Sequence, residues 1–400
     1  MMNKKQNIKE LLDGISVEWK KLEEVFDILA GGDVPKKALS DVKTKEFNIP
    51  ILSNGIENKS LYGWTDKAKI NKPSLTISAR GTIGWTSIRN TPFFPIVRLL
   101  VLTPKIKLNL KYTYYYMKSI EKNYNVSKNG IPQLTKPMIK DIIIPIPSLK
   151  VQSEIVKILD NFTELTAELT AELTAELTAR KKQYSYYRDR LLSFENEEVK
   201  WKSFGEVAKI QRGASPRPIS KFITDNADAI PWIKIGDTSP NTKFVKKTKQ
   251  KITKEGAKKS RLLKKGDFII SNSMSFGRPY ILDIDGAIHD GWASISEFST
   301  FLNSDYLYHY LSSNNVQQYW ISKINSGSVS NLNADIIKSL QIPIPPLKKQ
   351  KQIVTILDKF DTLTNSISEG LPYEIELRKK QYEYYRDMLL TFPKDSDESN

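Results

Sequence analysis

Two long segments of the sequence occur twice, and this repetition constrains the fold more than any other feature. KDIIIPIPSLKVQSEIVKILDNF from Lys140 is matched by KSLQIPIPPLKKQKQIVTILDKF from Lys338. RKKQYSYYRDRLLSF from Arg180 is matched by RKKQYEYYRDMLLTF from Arg378, and both pairs are 198 residues apart. Because this register holds without a gap, the sequence predicts a duplicated unit, in which a globular domain is followed by a long helix.

The first long helix is predicted at residues 148–196 and contains a four-residue repeat. After an initial TEL, the stretch from Thr163 to Ala179 consists of TAEL units, whose residues are strong helix formers. The leucines of the repeat are Leu165, Leu169, Leu173 and Leu177. Each unit advances the helix by ~6 Å and rotates the leucine stripe by ~40°. We therefore interpret the repeat as a spacer between the parts of the protein at either end of the helix.

The second long helix is predicted at residues 346–392 and lacks this repeat. Gly370 and Pro372 fall near its middle. Proline has no backbone N–H to donate and its ring crowds the preceding turn, so we predict a kink near residues 370–372.

The two remaining long regions, residues 17–147 and 197–345, have the pattern of mainly β domains. In the first of them, short apolar runs alternate with glycine, proline and asparagine, as in FNIPIL followed by SNG, and we expect one helix near Leu110 to Ile120. The prolines of IPIP at Ile144 to Pro147 indicate the exit from an edge strand. Residues 1–16 form an N-terminal segment, and residues 393–400 are predicted to be a disordered tail.

The two ends of the chain also resemble each other. VEWKKLEEV follows Leu11 and Leu12, much as VKWKSFGEV follows Leu191 and Leu192. This similarity predicts a quasi-circular layout of domain, helix, domain and helix. The predicted fold class is thus α+β, with two pseudo-symmetric mainly β domains separated by two long antiparallel helices.

The composition favours a polyanionic partner and offers no catalytic motif. Lys and Arg exceed Asp and Glu by 61 to 45, a net charge of +16 that favours nucleic acid. The chain has no cysteine and no apolar run near the ~20 residues that cross a bilayer, so we expect a cytoplasmic protein. Phosphate-binding loops, dinucleotide fingerprints and HExxH are all missing, which predicts no catalytic residue, cofactor or metal on this chain.

Basic and polar residues on short loops are the candidate DNA contacts. Basic side chains neutralise phosphates, Arg suits guanine and Asn suits adenine. The stretch from Lys243 to Lys265 is especially rich in lysine. Glycines occur in the loops around residues 31–37, 78–84, 212–217 and 272–278, and they let the backbone come close to a ligand. The predicted contacts are Lys36, Lys37, Arg80, Thr82, Arg212, Ser215, Arg217, Lys243, Lys246, Lys247, Asn272, Ser273 and Arg278.

The repeated RKKQYxYYRD motif places aromatic and basic residues on one side of each long helix. Its spacing favours packing against another protein or against the chain's own domain. The candidate partner-binding residues are Tyr184, Tyr187, Arg188, Tyr382, Tyr385 and Arg386.

Together these features resemble the specificity subunit of type I restriction-modification systems. The resemblance rests on the repeated IPIPxLxxQxxIVxILDxF and RKKQYxYYRDxLLxF segments, on the GIPQLTKPMIKDI and GSVSNLNADIIKSL approaches to them, and on the TAEL units. It implies two target recognition domains that each read half of a split DNA site, and helices that bind two modification subunits. Restriction or translocase subunits are further partners that it implies, with S-adenosylmethionine, ATP and Mg on the partner subunits.

Two other functions remain open from the residues alone. One is a self-contained DNA methyltransferase or nuclease, which S-adenosylmethionine binding or DNA cleavage by the isolated chain would favour. The other is a protein-binding scaffold, which weak and salt-insensitive DNA binding would favour.

Overall fold

The chain divides into two units that are each built around one of the repeated domains. The computed structural model describes residues 12–126, 131–194, 198–239, 242–272, 277–325, 331–366 and 368–393. Unit 1 comprises residues 1–170 and 377–400, and unit 2 comprises residues 171–376. The N-terminal segment up to residue 11 and the predicted tail from residue 394 lie outside the described residues.

Unit 1 contains nine strands and three helices ahead of the first long helix, within its described residues. The strands are β1 (Val17–Lys21), β2 (Phe26–Ala30), β3 (Ile49–Leu52), β4 (Leu61–Thr65), β5 (Ser74–Ser78), β6 (Thr86–Arg89), β7 (Phe94–Pro95), β8 (Leu99–Pro104) and β9 (Ile143–Pro147). The helices are α1 (Leu22–Val25), α2 (Leu110–Ser119) and α3 (Lys136–Lys140).

These strands form three sheets, and the main apolar core lies against the largest of them. The largest has the order β2-β8-β5-β6, a second has the order β4-β3-β7, and β1 pairs with β9 alone. The core contains Phe26, Leu75 and Leu102 from the large sheet and Ile139 from α3. The helix α2 confirms the one expected near Leu110, and the isolated β1–β9 pair confirms the edge position of the IPIP segment.

The first long helix, α4 (Leu149–Ser193), runs without interruption through the TAEL repeat. Its 45 residues correspond to roughly 68 Å of helix. The helix begins one residue after the start of the predicted range, 148–196, and ends three residues before its end.

Unit 2 repeats the architecture with additional strands. The strands are β10 (Lys200–Ser203), β11 (Lys209–Arg212), β12 (Ile230–Ile233), β13 (Phe244–Val245), β14 (Gln250–Ile252), β15 (Arg261–Leu263), β16 (Phe268–Ser271), β17 (Pro279–Leu282), β18 (Gly286–Ile288), β19 (Trp292–Ser296) and β20 (Gln341–Ile344). The helices are α5 (Phe204–Val207), α6 (Lys254–Lys258), α7 (Ser304–Leu311), α8 (Asn314–Asn325), α9 (Ala334–Lys338) and α10 (Leu347–Asn365), followed by α11 (Gly370–Leu390), which begins in unit 2 and ends in unit 1.

The sheet orders of unit 2 match those of unit 1 strand for strand. The order β11-β19-β16-β17 corresponds to β2-β8-β5-β6, with β13 added at its edge. The order β14-β12-β18 corresponds to β4-β3-β7, with β15 added, and in both units the third strand of this sheet is parallel to the second. The two domains are therefore copies of one fold, as the sequence repeat predicts.

Within each unit, the start of one long helix packs against the end of the other. In unit 1 the ring of Phe162 lies 5.7 Å from that of Tyr385. In unit 2 the equivalent rings of Phe360 and Tyr187 are also 5.7 Å apart. Each unit thus contains segments of both long helices beside its β-rich domain, and this mixture of helix and sheet confirms the α+β fold class.

The second long helix is divided into α10 and α11, but the cause differs from the one predicted. Helix α10 ends at Asn365 and α11 begins at Gly370, whose φ of 80° is left-handed. Pro372 falls in the first turn of α11, where a backbone N–H has no helical acceptor, so proline is tolerated there. Ser366 Oγ accepts a hydrogen bond from Glu369 N at 3.0 Å in the turn that precedes the new helix.

A buried glutamine fixes each β-rich domain to its long helix. In unit 1, Gln152 Oε1 accepts a hydrogen bond from Asn109 N, and its Nε2 donates to Pro147 O, both at 2.8 Å. Gln350 makes the equivalent bonds to Asn303 N (2.7 Å) and Pro345 O (2.9 Å) in unit 2. Across the described ranges, no helix is long and apolar enough to cross a membrane.

Candidate nucleic-acid interface

Two neighbouring cavities open on the first domain. One has a volume of about 720 Å³ and is lined by Lys36 and Lys37, which lie on a short 3-10 helix after β2. The second has a volume of about 580 Å³ and lies against the ends of β2, β5 and β8. Val97 lines both cavities and is 44% exposed, so the two form one continuous concave surface.

The second cavity carries most of the polar side chains of this surface. Arg80, predicted as a DNA contact, lines it together with Arg98, Gln133 and Lys136, which were not among the predicted contacts. Arg80 Nε donates to Gln133 Oε1 at 2.8 Å, and Nη2 donates to the same oxygen. We call the surface formed by Lys36, Lys37, Arg80, Arg98, Gln133 and Lys136 the first-domain face.

The Thr82 hydroxyl does not belong to the first-domain face. Thr82 lines neither cavity, and its Oγ1 is buried with no hydrogen-bond partner among the described residues. A buried hydroxyl cannot contact a base without a rearrangement of its loop. The structure therefore does not favour Thr82 as a DNA contact.

A pair of equivalent glycines lets each loop pass close to the neighbouring strand. A Cβ on Gly31 would lie 2.0 Å from Ile96 O, and a Cβ on Gly213 would lie 2.1 Å from His289 O. Gly31 N donates to Leu99 O at 2.8 Å, as Gly213 N does to Trp292 O at 2.7 Å. Both loops therefore require glycine at this position, and the same backbone contact occurs in both domains.

In the second domain, several predicted contacts converge on Asp290, which no sequence motif identified. Ser215 Oγ donates to Asp290 Oδ1 at 3.0 Å, and Asn272 Nδ2 donates to Asp290 O at 3.3 Å. Arg217 Nη2 lies 3.8 Å from Asp290 Oδ2, and its side chain is 85% exposed. We call Ser215, Arg217, Asn272 and Asp290 the Asp290 cluster.

The remaining predicted loop contacts of the second domain are Arg212, Arg278 and Ser273. Arg212 ends β11 with an exposed side chain, and its carbonyl oxygen accepts from Arg261 Nε at 3.3 Å. Arg278 instead approaches Tyr308. Burial raises the pKa of Tyr308 to about 12, an effect that Asp361 reinforces and that Arg188 and Arg278 oppose. Ser273 lies outside the described residues.

The lysine-rich stretch is only partly available to phosphates. Lys243 is 13% exposed, and its Nζ lies 2.6 Å from Asp305 Oδ1 and 4.8 Å from the centre of the Tyr308 ring. It is therefore a packing residue in this structure rather than a surface phosphate contact. Lys246 and Lys247 are exposed and remain predicted contacts.

Tyr184, in the tail of α4, is buried within unit 2. The Tyr184 hydroxyl is hydrogen-bonded to His309 Nδ1 at 3.0 Å, while His309 Nε2 lies 2.8 Å from Asp358 Oδ1. Burial raises the pKa of Tyr184. Burial also opposes ionisation of Asp358, but His309 and Lys243 outweigh it and lower the pKa of that carboxyl. Tyr184 thus serves the chain's own packing.

The other predicted partner residues are also engaged within the chain. Tyr187 stacks on Phe360, and Arg188 lies over the Tyr184 ring at 5.2 Å. In unit 1, Thr163 Oγ1 donates to the Tyr382 hydroxyl at 3.1 Å. The ring of Tyr385 packs on Phe162, and Arg386 Nη2 lies 2.7 Å from Asp387 Oδ1. Whether the exposed parts of these side chains also bind another subunit stays a prediction.

The spacer leucines all lie on the uninterrupted helix α4. Leu165 is exposed, and Leu169, Leu173 and Leu177 are half-buried. The role of the repeat as a spacer stays a prediction.

The structure therefore defines a class of protein, in which one β-rich domain with cationic loops occurs twice and each copy is docked on a long helix. The sequence profile of the type I restriction modification DNA specificity domain matches residues 16–179 and 196–377. The chain belongs to this family.

Two curated relatives resemble the chain over its whole length. It is 35% identical to the specificity subunit of the type I restriction enzyme EcoR124I/EcoR124II of Escherichia coli, over 100% of both chains. It is 36% identical to a putative type I restriction enzyme specificity subunit of Haemophilus influenzae, over 98% of this chain and 100% of the relative.

Solved structures share the fold at much lower sequence identity. A chain from a study of complex assembly and conformational transition of the type I restriction-modification system has a TM-score of 0.68 and 14% identity, over 95% of this chain and 98% of that one. The HsdS subunit of Thermoanaerobacter tengcongensis has a TM-score of 0.51 and 15% identity, over 94% and 95%. The family match and the two full-length relatives, rather than these structures, identify the chain as a non-catalytic specificity subunit that recognises DNA sequence with two domains.

Proposed function

We propose that each domain reads one half of a split duplex DNA site through the loops beside Gly31 in the first domain and Gly213 in the second. The observation that carries this proposal is the equivalence of the two loop regions. The first-domain face and the Asp290 cluster lie beside Gly31 and Gly213, which make the same backbone contact in the two copies. Because the scaffold is repeated while the polar side chains differ, two different half-sites are expected.

The long helices are proposed to set the distance between the half-sites and to bind two modification subunits. Two similar helix surfaces support two copies of one partner, since the RKKQYxYYRD segment occurs once in each repeat. A relative of the same fold comes from a study of type I complex assembly. S-adenosylmethionine is then expected on the modification subunits, and ATP and Mg on restriction subunits.

The proposal is tested by mapping methylated adenines. The full chain is produced with its modification subunits in a host without other adenine methylation, and the genome is sequenced for modified bases. A single split consensus, with two defined halves and an undefined centre, is the expected result. Methylation at a continuous site, or none above background, would contradict the proposal.

A further inference from the structure

Arg80 and Gln133 form a side-chain pair whose remaining hydrogen-bonding groups are all donors. Arginine has no acceptor, so the atom of Gln133 that faces it must be the amide oxygen. That oxygen accepts from both Arg80 Nε and Arg80 Nη2. In the described part of the chain, no hydrogen bond uses Gln133 Nε2 or Arg80 Nη1. Both side chains are half-buried and line the 580 Å³ cavity, so these donors face a space that can admit a ligand.

The pair is not required to hold its segment in place. The backbone already does so, because Leu134 is buried and its N donates to Ala79 O at 2.8 Å. In the second domain the same tie joins Leu332 N to Asn272 O at 3.1 Å. The residues at the equivalent sequence positions there are Ser273 and Asn331, which cannot make an arginine–glutamine pair.

The backbone of Arg80 is nevertheless held firmly. Asn54 Nδ2 donates to Arg80 O at 2.9 Å, and the next residue, Gly81, has a φ of 69° that favours glycine. The guanidinium is therefore presented from a fixed point, which is the property expected of a group that reads a base.

We propose that Arg80 and Gln133 act together as a donor-only reading pair that selects guanine in the half-site bound by the first domain. This inference rests on the proposed function. A free glutamine reads adenine, because it offers a donor to N7 and an acceptor to the N6 amino group. Here the acceptor is occupied by Arg80, and only donors remain. Guanine presents two acceptors, O6 and N7, in the major groove, and it is the base that such a pair matches.

The surrounding charges suit this role. Lys36, Lys37, Arg98 and Lys136 line the same concave surface and would contact phosphates beside the base. The reading pair supplies the base contact, and these residues supply the sequence-independent part of the binding.

The test uses Gln133→Glu, which keeps an oxygen for Arg80 but replaces the amide donors by an acceptor. The full chain is assembled with its modification subunits, and methylated sites are selected from randomised duplexes and sequenced. For the wild type we expect a guanine at one position of one half-site. For Gln133→Glu the preference for guanine at that position should fall about tenfold or more, with every other position unchanged.

Two further variants make the result specific. Arg80→Lys should weaken the preference at the same position as Gln133→Glu. Asn331→Asp makes the equivalent amide-to-acid change in the second domain and should leave the guanine-containing half-site as it is. An unchanged guanine preference in Gln133→Glu, or a loss spread evenly over all positions, would overturn the inference while leaving the split site intact. Failure of the wild type to select any split site would instead remove the proposed function on which the inference rests.

Discussion

Replacement of Gln350 by leucine tests whether hydrogen bonds hold the second domain on its helix. The side chain is 0% exposed, accepts from Asn303 N, and donates from Nε2 to Phe301 O (3.0 Å) and Pro345 O (2.9 Å). Leucine fills nearly the same volume, so the main effect is the loss of these bonds. The substitution leaves the N–H of Asn303 and the carbonyl groups of Phe301 and Pro345 without their hydrogen-bond partner. At ~1–3 kcal/mol for a buried group left unsatisfied, with carbonyls at the lower end, we expect a loss of about 3–5 kcal/mol.

The loss should be measured by hydrogen exchange, because a protein of two units does not unfold in a single transition. Peptides from unit 2 should lose protection in Gln350→Leu. The matched variant is Gln152→Leu, which removes two hydrogen bonds rather than three and should cost unit 1 roughly 2–4 kcal/mol. If unit 2 of Gln350→Leu keeps the hydrogen-exchange protection of the wild type, packing alone holds the second domain on its helix.

Three other outcomes are expected. Deleting Thr170–Leu173, one TAEL unit, should leave both half-site sequences unaltered and shorten the undefined centre of the DNA site by one or two base pairs. Methylation mapping reads both quantities, and a centre of unchanged length would contradict the spacer role. Replacing Lys36 and Lys37 by alanine should weaken binding to all DNA sequences alike. The slope of log Kd against log salt concentration should fall by about one for each phosphate that is no longer neutralised. An altered half-site sequence would refute the assignment of these lysines to phosphates. Because His309 and Lys243 lower the pKa of Asp358 against the effect of burial, its ionisation stabilises unit 2 above about pH 4, and this contribution is lost as the pH falls further. Asp358→Asn should therefore destabilise unit 2 by a constant amount at neutral pH, with the difference from wild type shrinking in denaturation experiments below pH 4; a difference that persists there would contradict the linkage.

The fold could be predicted from the sequence because its signals are local and repeated. The 198-residue offset required two copies of one architecture, and the sheets β2-β8-β5-β6 and β11-β19-β16-β17 confirm it. The break in the second helix was expected, but its cause was not. Proline was expected to interrupt a helix that was already under way. The structure shows a new helix that starts at Gly370 and accommodates Pro372 in its first turn.

The site was harder to predict because it depends on contacts between distant residues. Nothing near Lys243 in the sequence shows that its charge is paired, since Asp305 and Asp358 lie far along the chain. Gln133 lies in GIPQLTKP, a segment whose only sequence signal is its resemblance to the family. Its role became visible only when the fold placed it beside Arg80. Spacing and composition report which residues share an element, and they do not report which side chains meet across two loops.

The contacts that the two copies share explain why the loops are free to differ. Tyr112 donates to Pro145 O at 3.0 Å, and Tyr306 makes the same bond to Pro343 O at 3.1 Å. These bonds join α2 to β9 and α7 to β20, the strands that precede the long helices, while the buried glutamines fix each domain to its long helix. A change in a reading loop therefore leaves the docking bonds in place, because none of them involves the first-domain face or the Asp290 cluster. We therefore expect a substitution in the reading loops of one domain to change its half-site without a compensating change in the helices or in the other domain.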